Sequence, residues 1–179
     1  MSCYIKLKIY NAIIAPQFNY CSILLYGVSQ DKLQKLQVSQ NRALRVILRC
    51  NKYTPIKSML EILNIMNVRQ QITFRSLEFI YKIKNLMVPL FVVEKIEYVV
   101  DRHSYLTRNI SDFYLPPCNL SKTLNSIGYA GLRAFNGLPL DLKNCTDFLH
   151  FKRKLKFYIV NNGFFNKNFV FQCGNTGTT

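Results

Sequence analysis

The stretch DKLQKLQVSQNRALRVILR at residues 31–49 constrains the fold most, because its apolar and basic residues separate at helical spacing. At about 100° per residue, one arc of a helical wheel is mostly apolar and another is basic. We therefore predict an amphipathic helix that packs on one side and exposes cations on the other. Two heptads with Gln in the seam are too few for a coiled coil. The packing arc holds Leu33, Leu36, Gln40, Ala43, Leu44 and Ile47, and the basic arc holds Lys32, Lys35, Arg42, Arg45 and Arg49.

Helical periodicity also marks other parts of the chain. A first helix is predicted over about 4–15, with a break at Pro16, because proline disfavours helix in the residue before it. Thr54 is the predicted N-cap of a further helix, with Pro55 at its first position. Longer helices are predicted over about 69–86 and 146–160, the second with Phe148, Phe151, Leu155 and Ile159 on one side. The apolar run FNYCSILLYG fits either a buried helix or a buried strand.

These elements predict a mainly α protein, a multi-helix, bundle-like region with an irregular middle segment and a C-terminal basic helix. We expect a helical region over 1–90 and an irregular connection over 91–120. A turn-rich segment followed by the basic helix is expected over 121–160. The Asn- and Gly-rich stretch 161–179 has no periodicity, which predicts a disordered tail.

The charge of the chain indicates its partners. It carries 24 Lys and Arg against 9 Asp and Glu, a net charge of +15. Such an excess favours nucleic acid or an anionic membrane surface. Residues 7–28 are apolar but contain Lys8, Asn11 and Pro16, so we predict no transmembrane segment. The N-terminus has no secretory signal, so we expect an intracellular protein with reduced thiols.

Catalytic and metal-binding motifs are not evident in the sequence. Six cysteines occur without a C-x-x-C pair, and His103 and His150 are the two histidines, so a zinc knuckle is not expected. Two-metal chemistry needs carboxylates that hold ions about 3.5–4 Å apart, whereas the five aspartates are scattered. Glu94, Glu97 and Asp101 would align on a helix, and an exposed acidic face is the favoured interpretation. We expect no enzyme activity, no cofactor and no metal site in this chain.

Several segments in order resemble the region after the catalytic palm of LINE-type, Jockey-like non-LTR retrotransposon reverse transcriptases. They are KIYNAIIAPQFNYCSILLYG, LQKLQVSQNRALRVI, YTPIKSMLEILNIMNV, FIYKIKN with MVP behind it, HSYLTRN, SIGYAGLRAFNGLP, LKN and FLHFKRKLKFYIV. The resemblance covers about residues 5–160. Tyr26 and Phe135 stand where the family usually has tryptophan, and both keep an aromatic ring.

The resemblance implies reverse transcription by a parent protein whose Y-x-D-D aspartates would precede Met1. This chain would then be a catalytically empty fragment that keeps backbone contacts to template RNA or DNA. Self-association through exposed apolar surface, and contact with the remainder of the polymerase, are further expectations. A stand-alone basic helical nucleic-acid-binding module and a membrane-surface amphipathic protein are the alternatives. The candidate nucleic-acid-binding residues are Lys35, Arg42, Arg45, Arg49, Lys152, Arg153, Lys154 and Lys156.

Overall fold

The computed structural model describes residues 1–102 and 110–162, and these residues are mainly helical, as predicted. An isolated antiparallel bridge joins Tyr98 to Phe113, and no strand forms in the described part of the chain. Turns of 3-10 helix cover Ser22–Gly27 and Val99–Asp101, and π-helical turns cover Tyr10–Ile14 and Ile127–Gly131. The α-helices are α1 Cys3–Ile9, α2 Ala15–Asn19, α3 Gln30–Leu48, α4 Ile56–Leu63, α5 Val68–Lys84, α6 Leu90–Val93, α7 Ser121–Leu124, α8 Leu132–Asn136, α9 Leu140–Lys143 and α10 Phe148–Asn162.

The chain forms two compact units, Met1–Arg75 and Ser76–Thr179. The expected helical region ran over residues 1–90, and the contacts divide the chain inside α5. The start of α5 packs in the first unit, where Val68 and Ile72 join Leu33. Later α5 residues are buried in the second unit, where Tyr81 stacks on a ring of α10. Because α5 contributes residues to both cores, the division falls within a helix, and no linker in the sequence marks it.

The first unit is built around α3. Leu33, Gln40, Leu44 and Ile47 are buried, and Leu36 and Ala43 are half-buried, so the predicted packing arc is confirmed. Leu44 and Ile47 pack with Tyr10 and with Met59 of α4. The run FNYCSILLYG is neither an α-helix nor a strand, because most of it forms the 3-10 turn.

The predicted break at Pro16 takes the form of a π-helical turn rather than a helix end. Proline has no N–H to donate to the carbonyl four residues earlier. Just before it, the N–H of Ala15 donates to the carbonyl of Tyr10, five residues back, and the chain continues helically to Asn19. The N-cap of α4 is Pro55, one residue later than predicted, which is within the usual variation of helix ends.

The second unit packs against α10, whose Phe151, Leu155 and Ile159 are buried as predicted. Tyr81 and Phe151 stack with centroids 4.0 Å apart, and the Tyr81 hydroxyl lies 2.9 Å from the carbonyl oxygens of Cys145 and Thr146. The helix ends at Asn162, and the rest of the predicted tail, residues 163–179, lies outside the described part.

The turn-rich segment predicted before α10 is more helical than expected. A π-helical turn leads directly into α8, and Leu132, Ala134 and Phe135 are buried. At Gly131 a Cβ would lie 2.7 Å from a side-chain carbon of Ile127, so this glycine permits close packing rather than a turn. Asn136 accepts from the N–H of Phe113 at 3.0 Å and donates to its carbonyl at 2.8 Å.

Candidate nucleic-acid interface

One side of α3 and its C-cap residue Arg49 present the first four candidate residues, which we call the α3 basic face: Lys35, Arg42, Arg45 and Arg49. At helical spacing they fall within an arc of about 80°, opposite the buried side chains, and they extend over about 21 Å. Lys35, Arg42 and Arg49 are exposed, and Arg45 is half-buried. The structure therefore brings these four cations together on one surface.

The α3 basic face has no acidic neighbours in the sequence. Asp31 lies in the first turn of α3, and the next acidic residue is Glu61 in α4. Residues 32–60 contain seven Lys or Arg and no Asp or Glu. None of the ion pairs seen among residues 1–102 and 110–162 involves a member of the face. Among the described residues, no carboxylate therefore pairs with a member of the face.

The members of the face differ in how freely they can meet a ligand. The Nη2 of Arg49 donates to the carbonyl of Met1 at 3.1 Å. The Nε of Arg45 is buried and has no hydrogen-bond partner. Lys6 approaches the same end of α3, donating from Nζ to the carbonyl of Val46 at 2.7 Å. Lys35 and Arg42 are thus the two members that are exposed and for which no side-chain hydrogen bond or ion pair is seen in the described residues.

A buried polar network on the opposite side holds α3 in place. Gln40 is fully buried, and its Nε2 donates to the Tyr10 hydroxyl at 3.2 Å and to the Met66 carbonyl at 3.0 Å. Gln37 donates to Gln40 at 2.9 Å and accepts from the N–H of Val68 at 2.9 Å. Our sequence prediction missed this network, and the signal for it was a glutamine at the centre of an apolar arc.

The second group of candidates lies on α10 in the other unit, and only part of it faces solvent. Lys152 forms an ion pair with Glu78 at 3.3 Å, and that glutamate is buried. Arg153 and Lys154 are exposed, and Lys156 is half-buried. Lys152 therefore has a structural role, because its ammonium group pairs with a buried carboxylate. The exposed side of α10 also carries Leu149, Phe157 and Val160, and the exposed side of α3 carries Val38 and Val46.

A further charged cluster in the second unit was not predicted. Lys143 pairs with Asp112 at 2.9 Å, and both side chains are largely buried. Lys84 donates to the backbone carbonyl of Lys143 at 2.7 Å. Burial lowers the pKa of Lys84, the nearby Lys143 lowers it further, and Asp112 acts in the opposite direction. The local hydrogen bonds indicate that this cluster joins α5, α9 and the segment before Phe113.

The aromatics interleaved with cations separate into two groups. Tyr10, Tyr81 and Phe151 are core residues. Exposed rings remain at Tyr4, Tyr53 and Phe157. The Nζ of Lys8 lies 4.5 Å from the Tyr4 ring centroid, and that of Lys52 lies 4.9 Å from the Tyr53 centroid.

The three carboxylates at 94, 97 and 101 do not share one helical face. Glu94 caps the short α6, Glu97 pairs with Arg102 at 2.7 Å, and Asp101 accepts from the N–H of Tyr98. His103 lies outside the described residues. Over 1–102 and 110–162, no three His, Cys, Asp or Glu side chains are grouped to hold a metal ion. Within the same ranges, no helix combines the length and apolarity needed to cross a bilayer.

No protein-family model, curated protein or solved structure matches this chain.

Proposed function

We propose that this chain binds the sugar–phosphate backbone of RNA or DNA through the α3 basic face and has no catalytic site of its own. The observation that carries the proposal is the row of cations on α3 with no acidic residue between 32 and 60. The proposal also accords with the resemblance to the thumb-side region of a LINE-type reverse transcriptase. In such a role the chain supports a polymerase whose catalytic aspartates lie in another part of the parent protein.

Backbone binding of this kind is electrostatic and independent of sequence. Lys and Arg that contact phosphates release condensed counterions, so affinity falls as salt rises. Such contacts set position and orientation and do not read base identity. The buried network around Gln40 holds α3 in one orientation. This supports the role because the α3 basic face lies on the opposite side of the helix.

The direct test measures affinity for duplex DNA and for RNA as a function of salt. Four phosphate contacts predict a log–log slope of about −3.6 for duplex DNA. Fluorescence anisotropy of a labelled duplex between low and physiological salt gives this slope. Affinity that does not change with salt would exclude the proposal.

A double substitution tests whether the α3 basic face is the binding surface. Lys35→Gln with Arg42→Gln is expected to reduce the magnitude of the slope by about 2, since each phosphate contact contributes about 1. The matched control is Lys57→Gln with Lys95→Gln, which removes the same charge from exposed positions. Lys57 already lies 3.9 Å from Glu61. Equal losses in the two double variants would assign binding to net charge alone.

The family part of the proposal has a separate test. Sequencing the transcript upstream of Met1 is expected to reveal an open frame that continues into a Y-x-D-D palm, or the remains of one. An unrelated upstream sequence would contradict descent from a reverse transcriptase. Backbone binding by a stand-alone module would then be the remaining form of the proposal.

A second candidate function is binding to an anionic membrane surface, and the exposed side of α10 favours it. Apolar Leu149, Phe157 and Val160 lie there beside Arg153 and Lys156, a combination typical of interfacial helices. Flotation with vesicles containing anionic lipid distinguishes the candidates. Recovery of the chain with anionic vesicles, together with no affinity for nucleic acid, would favour the membrane.

A further inference from the structure

Tyr53 is one of the most exposed aromatic side chains in the first unit. Its exposed fraction is 78%, whereas the tyrosine of the adjoining core, Tyr10, is buried. A ring of this size usually covers apolar surface when it is packed. Tyr53 therefore contributes little to the core and is available to an external partner.

The turn that carries Tyr53 is anchored on both sides. The N–H of Thr54 donates to the carbonyl of Asn51 at 3.1 Å, which places Lys52 and Tyr53 at the centre of the turn. Before the turn, Cys50 packs against the core and its Sγ lies 3.4 Å from the Sδ of Met59. After the turn, α4 begins at Ile56 and its Met59 is buried in the same core, so both ends of the turn are held.

The surroundings of the ring are cationic. Lys52 lies with its Nζ 4.9 Å from the ring centroid. The exposed Arg49 ends α3 just before the turn, and the stretch 32–60 has no carboxylate. An exposed aromatic plane at the end of a positive row is the arrangement that binds single-stranded nucleic acid, where bases stack and phosphates follow the cations.

We infer that Tyr53 is a platform at the end of the α3 basic face, on which an unpaired nucleobase stacks against the ring face that Lys52 does not cover. Single-stranded RNA or DNA is then the preferred ligand of this surface, because duplex bases are stacked on each other and hide their faces. The inference rests on the proposed function and adds to it the class of nucleic acid that is bound. Stacking tolerates any base, so no sequence preference follows from it.

The experiment compares binding of the full chain to oligo(dT), oligo(U) and a DNA duplex, each of about 20 nucleotides or base pairs, at one salt concentration. Tyr53→Ala is expected to weaken single-strand binding by about 5- to 140-fold. Duplex binding should stay within about twofold, and Tyr53→Phe should retain single-strand affinity because the ring plane remains. The matched control is Tyr20→Ala, which removes a tyrosine of 81% exposure from the chain before α3.

A second readout reports contact with the ring directly. The chain has no tryptophan, so Tyr53→Trp introduces a single tryptophan, whose emission is separable from that of the tyrosines, at the proposed platform. Oligo(dT) is expected to quench its emission, whereas it should leave the emission of Tyr20→Trp unchanged.

The outcomes separate the inference from the proposed function. Salt-dependent binding to single strands that Tyr53→Ala does not weaken, with no quenching of Tyr53→Trp, overturns the platform and leaves backbone binding intact. Equal weakening of single strands and duplex by Tyr53→Ala also overturns it. If the chain binds none of the three probes, both the platform and the proposed backbone binding are overturned. A blue shift of Tyr53→Trp on anionic vesicles without quenching by oligo(dT) assigns the ring to a membrane surface instead.

Discussion

At the scale of single residues, the charged side chains of α10 differ in what their removal should cost. Lys152 neutralises the buried Glu78 at 3.3 Å, whereas Lys154 is exposed. Lys152→Ala leaves a buried carboxylate without that partner and is expected to lower the free energy of unfolding by about 1–2 kcal/mol. Urea denaturation of both variants measures the difference.

Lys154→Ala, the control on the same helix, should change stability by less than about 0.5 kcal/mol. Equal stability of the two alanine variants would contradict a structural role for Lys152. That result would return Lys152 to the nucleic-acid-binding candidates on equal terms with Arg153 and Lys154.

Tyr26 predicts how stability depends on alkaline pH. Burial raises the pKa of Tyr26 to about 12, and Arg69 acts in the opposite direction. The folded state holds this proton more tightly than the unfolded chain, whose tyrosine pKa is about 10. The resulting stabilisation is complete below pH 10 and is lost as the pH rises toward 12, about 2–3 kcal/mol in total.

Urea midpoints between pH 9 and pH 12 test this dependence, with the range set by the raised pKa of Tyr26. Tyr26→Phe should flatten the alkaline decline without abolishing it, because burial also raises the pKa of Tyr10 and Tyr81. An unchanged decline in Tyr26→Phe would show that Tyr26 does not contribute.

At the scale of elements, α3 depends on a polar group in its packing side. Gln40→Leu removes the donor to the Tyr10 hydroxyl in a fully buried site. The loss is expected to lower the free energy of unfolding by about 1–3 kcal/mol, although leucine is more apolar. Gln34→Leu, an exposed change on the same helix, is the control and should be nearly neutral.

Chemical denaturation of the two leucine variants gives the comparison. If Gln40→Leu proved more stable than the unaltered chain, the network would be a cost to stability rather than a support for α3. Loss of the network should also disturb the orientation of α3 and thereby lower the affinity for nucleic acid. The affinity of Gln40→Leu is therefore the second measurement.

At the scale of the whole molecule, net charge and exposed apolar residues act against each other. The chain carries +15, and Ile5, Ile9 and Ile13 are exposed near its N-terminus. Repulsion keeps copies apart at low salt, and screening weakens it as salt rises. We expect self-association to increase with salt concentration. The double variant Ile9→Gln with Ile13→Gln should associate less than the unaltered chain.

Sedimentation velocity at low and high salt measures this association. Ile62→Gln changes an exposed isoleucine of α4 and serves as the control. Association that is strongest at low salt would indicate an ionic contact instead of an apolar one.

The sequence by itself determined the long helices of this protein. The positions of α3, α5 and α10, and the buried sides of α3 and α10, follow from apolar residues three or four positions apart. This spacing follows from the 3.6-residue turn that local backbone hydrogen bonds impose, so it can be recognised in a short segment of the sequence. The α3 basic face follows from the same periodicity, and its members were predicted together.

Tertiary structure decided the rest, because the contacts involved join residues distant along the chain. Gln40 belongs to a buried network because it donates hydrogen bonds to Tyr10 and Met66. Lys152 has a structural role because it forms an ion pair with Glu78. The segment around Gly131 is helical, although glycine and proline predict a turn, and a Cβ at Gly131 would also contact Ile80, which is distant along the chain. Periodicity within one helix carries no information about which distant element completes its surface.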